Sequence, residues 1–67
     1  MGIAYDAIIN AVDNSPGINK TTLIETVNDA TGFGINYLRK CIDQLVKDGR
    51  LRAEDGQKNA VFYFLIS

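Results

Sequence analysis

Residues 38–51 read LRKCIDQLVKDGRL, and this stretch decides the fold. Its apolar residues recur at spacings of three, four and seven, which is typical of the buried face of a helix. They are Leu38, Cys41, Ile42 and Leu45. Gly49 can end the helix in a left-handed conformation, and Lys47 suits the negative end of the helix dipole. The spacing therefore predicts a helix over residues 35–48.

A pair of strands is expected after this helix. Residues 50–54 alternate charged and apolar side chains, as a half-buried strand does. Asp55-Gly56 is a strong hairpin-turn signal, and residues 57–59 lengthen the loop. Residues 60–66 form an apolar run rich in aromatic side chains, which favours a second strand. We therefore expect a short antiparallel hairpin at the end of the chain.

Two more helices precede residues 38–51. Apolar spacing predicts the first over residues 3–13, and Pro16-Gly17 supplies the turn that follows it. Asn19 is a good N-cap for a second helix over residues 20–30, although Thr22-x-x-Glu25 also fits a capping box. Gly32 suits the C-cap of this helix. Ile18 lies between the turn and the cap, where there is room for a very short strand.

The composition describes one small folded domain over residues 1–67. The chain is 46% hydrophobic and 22% charged, which is ordinary for a globular protein and unlike a disordered one. Its core is small, so stability depends on efficient packing or on oligomerisation. One cysteine cannot form an internal disulfide, and a chain without histidine lacks the usual zinc ligands. We expect no metal and no cofactor.

Several functional classes are disfavoured. No apolar run is long enough to span a membrane, and no signal-peptide pattern is present. The lone Cys41 is expected to be a small core residue in a reducing, cytoplasmic setting. Without histidine or an inward-facing pair of carboxylates, we expect no catalytic residues and no enzyme. The small size and the start at Met1 suggest a phage or plasmid protein.

The predicted order is helix, short strand, helix, helix, strand, strand, and it resembles that of winged helix-turn-helix domains over residues 5–66. The resemblance rests mainly on residues 38–51. It rests also on Gly17-Ile18-Asn19, followed by an apolar-periodic helix and Thr31-Gly32. It implies an α+β fold, a winged helix of three helices plus a short antiparallel β-hairpin wing. Winged helices include transcription repressors, phage excisionases and replication initiators, and also modules that bind only proteins.

For a DNA-binding member, the resemblance places residues 35–48 in the major groove of double-stranded DNA and the 54–60 wing on the backbone. Asn and Gln side chains can pair with adenine, Lys can donate to guanine, and Tyr can contact a sugar or a phosphate. The predicted DNA-binding residues are Asn36, Tyr37, Arg39, Lys40, Gln44 and Lys58. The expected function is a small sequence-specific regulator of transcription or recombination.

The charge distribution agrees with this interpretation. Residues 1–31 contain one cation and four carboxylates, whereas residues 32–67 contain six cations and four carboxylates. The net charges of the two parts are therefore −3 and +2, although the whole chain carries −1. Candidate phosphate contacts are Arg39, Arg50, Arg52 and Lys58. Arg50 has an alternative role in solubility or in a salt bridge with Asp48 or Glu54, and Lys58 has one in protecting a strand edge.

The alternative is a winged helix that binds a protein instead of DNA. Phe33 is a large apolar residue in a turn where polar residues are usual. In the last strand, Phe62 and Phe64 point away from Tyr63, so one of the two apolar faces is expected to be exposed unless the first helix covers it. Phe33, Phe62 and Phe64 are therefore the predicted surface for a homodimer or another protein partner.

Overall fold

A computed structural model describes residues 2–66 of the chain as three helices and a three-stranded antiparallel sheet. The helices are α1 (Ile3–Asn14), α2 (Lys20–Thr31) and α3 (Ile35–Lys47), and the strands are β1 (Ile18–Asn19), β2 (Leu51–Asp55) and β3 (Val61–Leu65). Each predicted range differs from these by at most one residue at either end. The predicted domain limits, Met1 and Ser67, lie outside the described residues.

Both ends of α2 are fixed by residues that the sequence singled out. The Asn19 side-chain oxygen accepts a hydrogen bond from the Thr22 backbone N–H at 2.8 Å, so Asn19 is the N-cap. Gly32 has φ 78°, and its N–H donates to the Asn28 carbonyl at 2.7 Å. Glycine adopts this left-handed conformation without the steric cost that a side chain imposes. Of the two candidate starts, the structure selects Asn19.

The sheet order is β1-β3-β2, with both pairs antiparallel. Ile18 lies opposite Tyr63, and Leu51 lies opposite Leu65. The short strand at Ile18 is thus present, and it joins the α1–α2 connection to the C-terminal hairpin. The Gly17 N–H strengthens this connection by donating to the Tyr63 carbonyl at 2.9 Å.

The core lies between the three helices and the inner face of the sheet, since α1 packs against α2, α3 and β3. The buried residues of α3 are the four of its predicted apolar face, Leu38, Cys41, Ile42 and Leu45. Cys41 is 2% exposed and is confirmed as a small core residue. Among residues 2–66, no helix combines the length and the apolar composition that crossing a membrane requires.

The prediction of a half-buried strand at residues 50–54 was wrong beyond its first apolar position. Leu51 is buried, but Ala53, two residues further along the same face, is exposed. The strand begins at the core and then runs outward, so only Leu51 reaches the apolar interior. Alternation in sequence reports which side chains share a face, but it does not report whether that face is covered.

The predicted hairpin loop is present, and its left-handed residues follow Gly56. Gly56 has φ −111°, which is not left-handed, whereas Lys58 and Asn59 have φ 58° and 63°. The loop is closed by the Gly56 N–H, which donates to the Ala60 carbonyl at 2.7 Å. Asp55-Gly56 therefore marks the place of the turn but not the residues that reverse the chain. Glycine is required at position 56 for packing, because a Cβ atom there would overlap the Phe62 ring.

Candidate nucleic-acid interface

The outer face of α3 is polar from Asn36 to Lys47, whereas Ile35, the first residue of the helix, is an exposed apolar residue. Burial of its apolar face turns the other side chains of the helix to solvent, and every predicted DNA-binding residue of α3 is exposed. These are Asn36, Tyr37, Arg39, Lys40 and Gln44. Asp43 and Lys47 are exposed as well. The outer face therefore offers amide, cationic and anionic groups to whatever meets it.

The turn between α2 and α3 is held by side-chain hydrogen bonds. The Asn28 side-chain NH₂ donates to the Phe33 carbonyl at 2.6 Å. The Thr31 hydroxyl donates to the Val27 carbonyl at 2.7 Å and accepts from the Phe33 N–H at 3.3 Å. Two of these bonds give partners to the backbone N–H and carbonyl of Phe33, which lies between the two helices. They fix the direction in which α3 leaves α2, and therefore the orientation of its outer face.

The hairpin projects from the sheet as a wing with Lys58 at its tip. Lys58 and Asn59 are both exposed and both left-handed, a conformation that costs a residue with a side chain roughly 1 kcal/mol or more. The Lys58 charge is thus presented in the exposed loop of the wing, well separated along the chain from its buried residues, Leu51 and Tyr63.

Two adjoining hollows connect the wing tip to α3. The first, of about 470 Å³, lies between the start of α2 and the wing, and its lining includes Lys20, Thr21 and Lys58. The second, of about 180 Å³, lies between α2 and α3, and its lining includes Lys20, Thr21 and Arg39. Because Lys20 and Thr21 border both hollows, Lys58, Lys20 and Arg39 lie along one continuous surface.

Tyr37 lies on the other flank of α3. Two residues along an α-helix are separated by about 160° in the shorter direction, so Tyr37 and Arg39 point to opposite sides. The Tyr37 ring lies 5.4 Å from the Phe33 ring between centroids. The nearby Cys41 thiol raises the pKa of Tyr37, and the hydroxyl of Tyr5 on α1 adds to this effect. Tyr37 therefore faces towards α1.

Gln44 is on the same flank as Tyr37. Its side-chain NH₂ donates to a carboxylate oxygen of Asp48 at 2.9 Å, one helical turn further on. The structure thus divides the predicted DNA-binding residues. Arg39 and Lys58 share the surface that includes α2, Asn36 and Lys40 occupy the middle of the outer face, and Tyr37 and Gln44 border the opposite side.

The sequence interpretation missed the start of α2. Lys20 is the single cation of residues 1–31, and it immediately follows the N-cap Asn19. Its position at the beginning of a helix was visible in the sequence. Its position between the wing and α3 was not, because only the folded arrangement brings these elements together.

Of the two alternative roles expected for Arg50, the salt bridge with Asp48 or Glu54 does not form among the described residues. The ion pair there joins Arg52 to Glu54 on β2, and the Arg52 guanidinium also lies 4.6 Å from the centroid of the Phe64 ring. Alternate residues of a strand share a face, which places Arg52 next to Glu54, whereas Arg50 precedes the first residue of β2 and is two residues further away. Arg52 thus already has two partners within the chain.

The last strand has one buried face and one partly covered face. Tyr63 is 2% exposed, and Val61 and Leu65 pack against the core. On the outer face, the Phe62 ring lies under Gly56, and the Phe64 ring lies between Gly17 and Arg52. Both rings are half-buried, as is Phe33. The chain itself therefore covers part of the surface predicted for a protein partner.

Comparisons with known proteins support the fold. No protein-family model matches the chain, and no curated protein matches it. Among solved structures, it is similar to the PcaV transcriptional regulator from Streptomyces coelicolor, determined with its natural ligand, at a TM-score of 0.76 and 17% sequence identity. The match covers 100% of this chain and 46% of the regulator, so the chain spans less than half of that protein's length. The winged helix fold is thereby confirmed.

Proposed function

We propose that this winged helix binds double-stranded DNA as a regulator of transcription or recombination. The observation that carries the proposal is the continuous surface formed by the outer face of α3, the start of α2 and the tip of the wing. Lys20, Arg39, Lys40 and Lys58 are its cations. The similarity to a transcriptional regulator supports the same proposal.

In this proposal α3 enters the major groove. Asn36 and Lys40, in the middle of the outer face, contact base edges, where an amide suits adenine and an ammonium suits guanine. Lys20 and Arg39 contact phosphates beside the groove, and Lys58 contacts the backbone from the wing. Tyr37 and Gln44 meet the DNA at the border of the interface, on the side of α1.

Backbone amide NMR during titration with a pool of random-sequence duplexes tests the proposal. We expect shifts at Asn36, Arg39, Lys40 and Lys58 that fade between about 0.05 and 0.2 M salt, because phosphate contacts release counterions. If no amide shifts at the lower salt concentration, the proposal is wrong.

Substitutions separate base contacts from backbone contacts. Asn36→Ala and Lys40→Ala should weaken binding to a selected site more than binding to random duplexes. Lys58→Ala should weaken both equally and reduce the slope of log affinity against log salt by about 0.9. If Lys58→Ala leaves both the affinity and the salt slope unchanged, the wing is not part of the interface.

A homodimer would raise the affinity of so small a module by engaging two half-sites. We propose Phe33, Phe62 and Phe64 as its contact residues, each of them half-buried in the single chain. Light scattering at high micromolar concentration measures the mass directly. We expect the mass of a dimer for the unsubstituted protein and the mass of a monomer for Phe62→Ser. A monomer in the unsubstituted protein would exclude this arrangement.

Binding to a protein is the second candidate function. The observation that favours it is the aromatic pair Phe33–Tyr37 at the beginning of α3, where Phe33 is half-buried and Tyr37 is 48% exposed. Aromatic rings that remain accessible to solvent are typical of interaction surfaces. A stoichiometric partner that is retained after nuclease treatment, and lost on Phe33→Ser, would favour this function over DNA binding.

A further inference from the structure

We propose that Asp43 is a specificity-determining residue of the α3 surface, accepting a hydrogen bond from the amino group of a cytosine and penalising DNA that lacks one at that position. The inference rests on the proposed DNA-binding function. It concerns a residue outside the predicted DNA-binding set, with a carboxylate that the phosphate backbone repels.

The position of Asp43 is the first argument. Asp43 is exposed on the outer face of α3, one turn after Arg39 and one turn before Lys47, with Lys40 also adjacent. It therefore lies among the groups that would meet the base edges. Solubility alone does not require a carboxylate at this position, since α1 and α2 have exposed positions outside the outer face of α3.

The carboxylate of Asp43 also remains available to a ligand. The ion pair recorded among residues 2–66 joins Arg52 to Glu54, and Asp43 takes part in none, although three cations lie within a turn of it. By contrast, the neighbouring Asp48 accepts a hydrogen bond from Gln44. Asp43 thus keeps its full capacity to accept hydrogen bonds from a ligand.

The helical repeat indicates where Asp43 points. Asp43 follows Asn36 by seven residues, close to two full turns of an α-helix, so both side chains lie in the middle of the outer face. Asp43 therefore belongs with Asn36 and Lys40 and not with the Tyr37 side.

The chemistry of the groove then assigns a role. In the major groove, cytosine presents an amino donor, from which a carboxylate accepts a hydrogen bond. Adenine carries its amino donor beside the N7 acceptor, and guanine and thymine present acceptors, so these three bases suit a carboxylate less well. A carboxylate held against the wrong base loses its water without gaining a hydrogen bond. Attraction to one base and repulsion from others together give specificity, at the expense of general affinity for DNA.

Binding-site selection from a random duplex library, followed by competition assays, tests this role. The unsubstituted protein should select a cytosine at one position, and replacing that base pair should weaken binding about tenfold or more. Asp43→Ala should bind random duplexes more tightly and lose the preference at that position alone. Asp48→Asn removes the same charge outside the outer face and should keep the preference.

Asp43→Asn gives a sharper outcome, since asparagine pairs with adenine. We expect the selected base at this position to change from cytosine to adenine, with the other positions unchanged. If Asp43→Ala and Asp43→Asn tighten binding to all duplexes equally and leave every base preference intact, Asp43 only balances charge and the inference is overturned. Failure of the unsubstituted protein to bind any duplex would instead overturn the DNA-binding function itself.

Discussion

At the scale of single residues, Gly56 shows how a turn residue can be required for packing and not for its dihedral angles. Its backbone is extended, so other residues could adopt the same conformation. The space above it is occupied by the Phe62 ring. The half-buried Phe62 ring packs against the backbone of Gly56, which has no side chain. This apolar contact stabilises the projecting hairpin outside the core.

We predict that Gly56→Ala lowers the free energy of unfolding by about 1–3 kcal/mol, because the added methyl group displaces the Phe62 ring. Urea denaturation measures the change. In a Phe62→Leu background the clashing ring atoms are absent, so the same substitution should cost much less. An equal cost in both backgrounds would show that the ring is not the cause.

At the scale of elements, α2 is positioned by a residue with two functions. Asn19 belongs to β1, opposite Phe62, and its side chain also caps α2. The first turn of α2, which contributes Lys20 and Thr21 to the candidate interface, is therefore attached directly to the sheet. A change at this residue affects the helix and the register of the wing together.

Asn19→Ala should lower the free energy of unfolding by about 1 kcal/mol, because the Thr22 N–H loses its partner. Asn19→Asp keeps an accepting oxygen and should restore most of the loss. Asn10→Ala, an exposed substitution inside α1, is the control and should be neutral or slightly stabilising. Thermal melts of the three variants suffice. A loss of the same size at both asparagines would contradict the capping role.

The sequence predicted these elements well because their signals are local. Apolar spacing and the caps at Asn19 and Gly32 located the helices within one residue. The exposure of Ala53 was not predictable, because it depends on where β2 lies relative to the helices. The same holds for the interface. The outward face of α3 follows from its periodicity, whereas the proximity of Lys20 to Lys58 follows only from tertiary structure.

At the scale of the whole molecule, the tyrosines respond to pH in the same direction. Burial and the charge of Asp43 raise the pKa of Tyr63. Burial and the Cys41 thiol raise the pKa of Tyr5, and the same thiol raises that of Tyr37. The folded protein therefore holds its phenolic protons more tightly than the unfolded chain does, and alkaline conditions act against the fold.

We predict that the stability contributed by the protonated tyrosines is fully present below about pH 10, their pKa in the unfolded chain, and is lost as the pH rises through the higher folded values. Denaturant midpoints measured from pH 8 to about 11 follow the loss. Tyr63→Phe should flatten the profile, because its hydroxyl belongs to the most buried of the three residues. Tyr37→Phe, at a 48% exposed residue, should flatten it less. If the two variants have identical profiles of stability against pH, Tyr63 is not the main source of the pH dependence.

The outward course of β2 has a consequence for how this domain can vary. Leu51 holds the base of the wing in the core, while the residues from Arg52 to Asn59 are all exposed. Extra residues inserted between Lys58 and Asn59 would lower the free energy of unfolding only slightly, since the entropy cost of closing a loop grows slowly with its length. The reach of the wing can therefore change without repacking the interior.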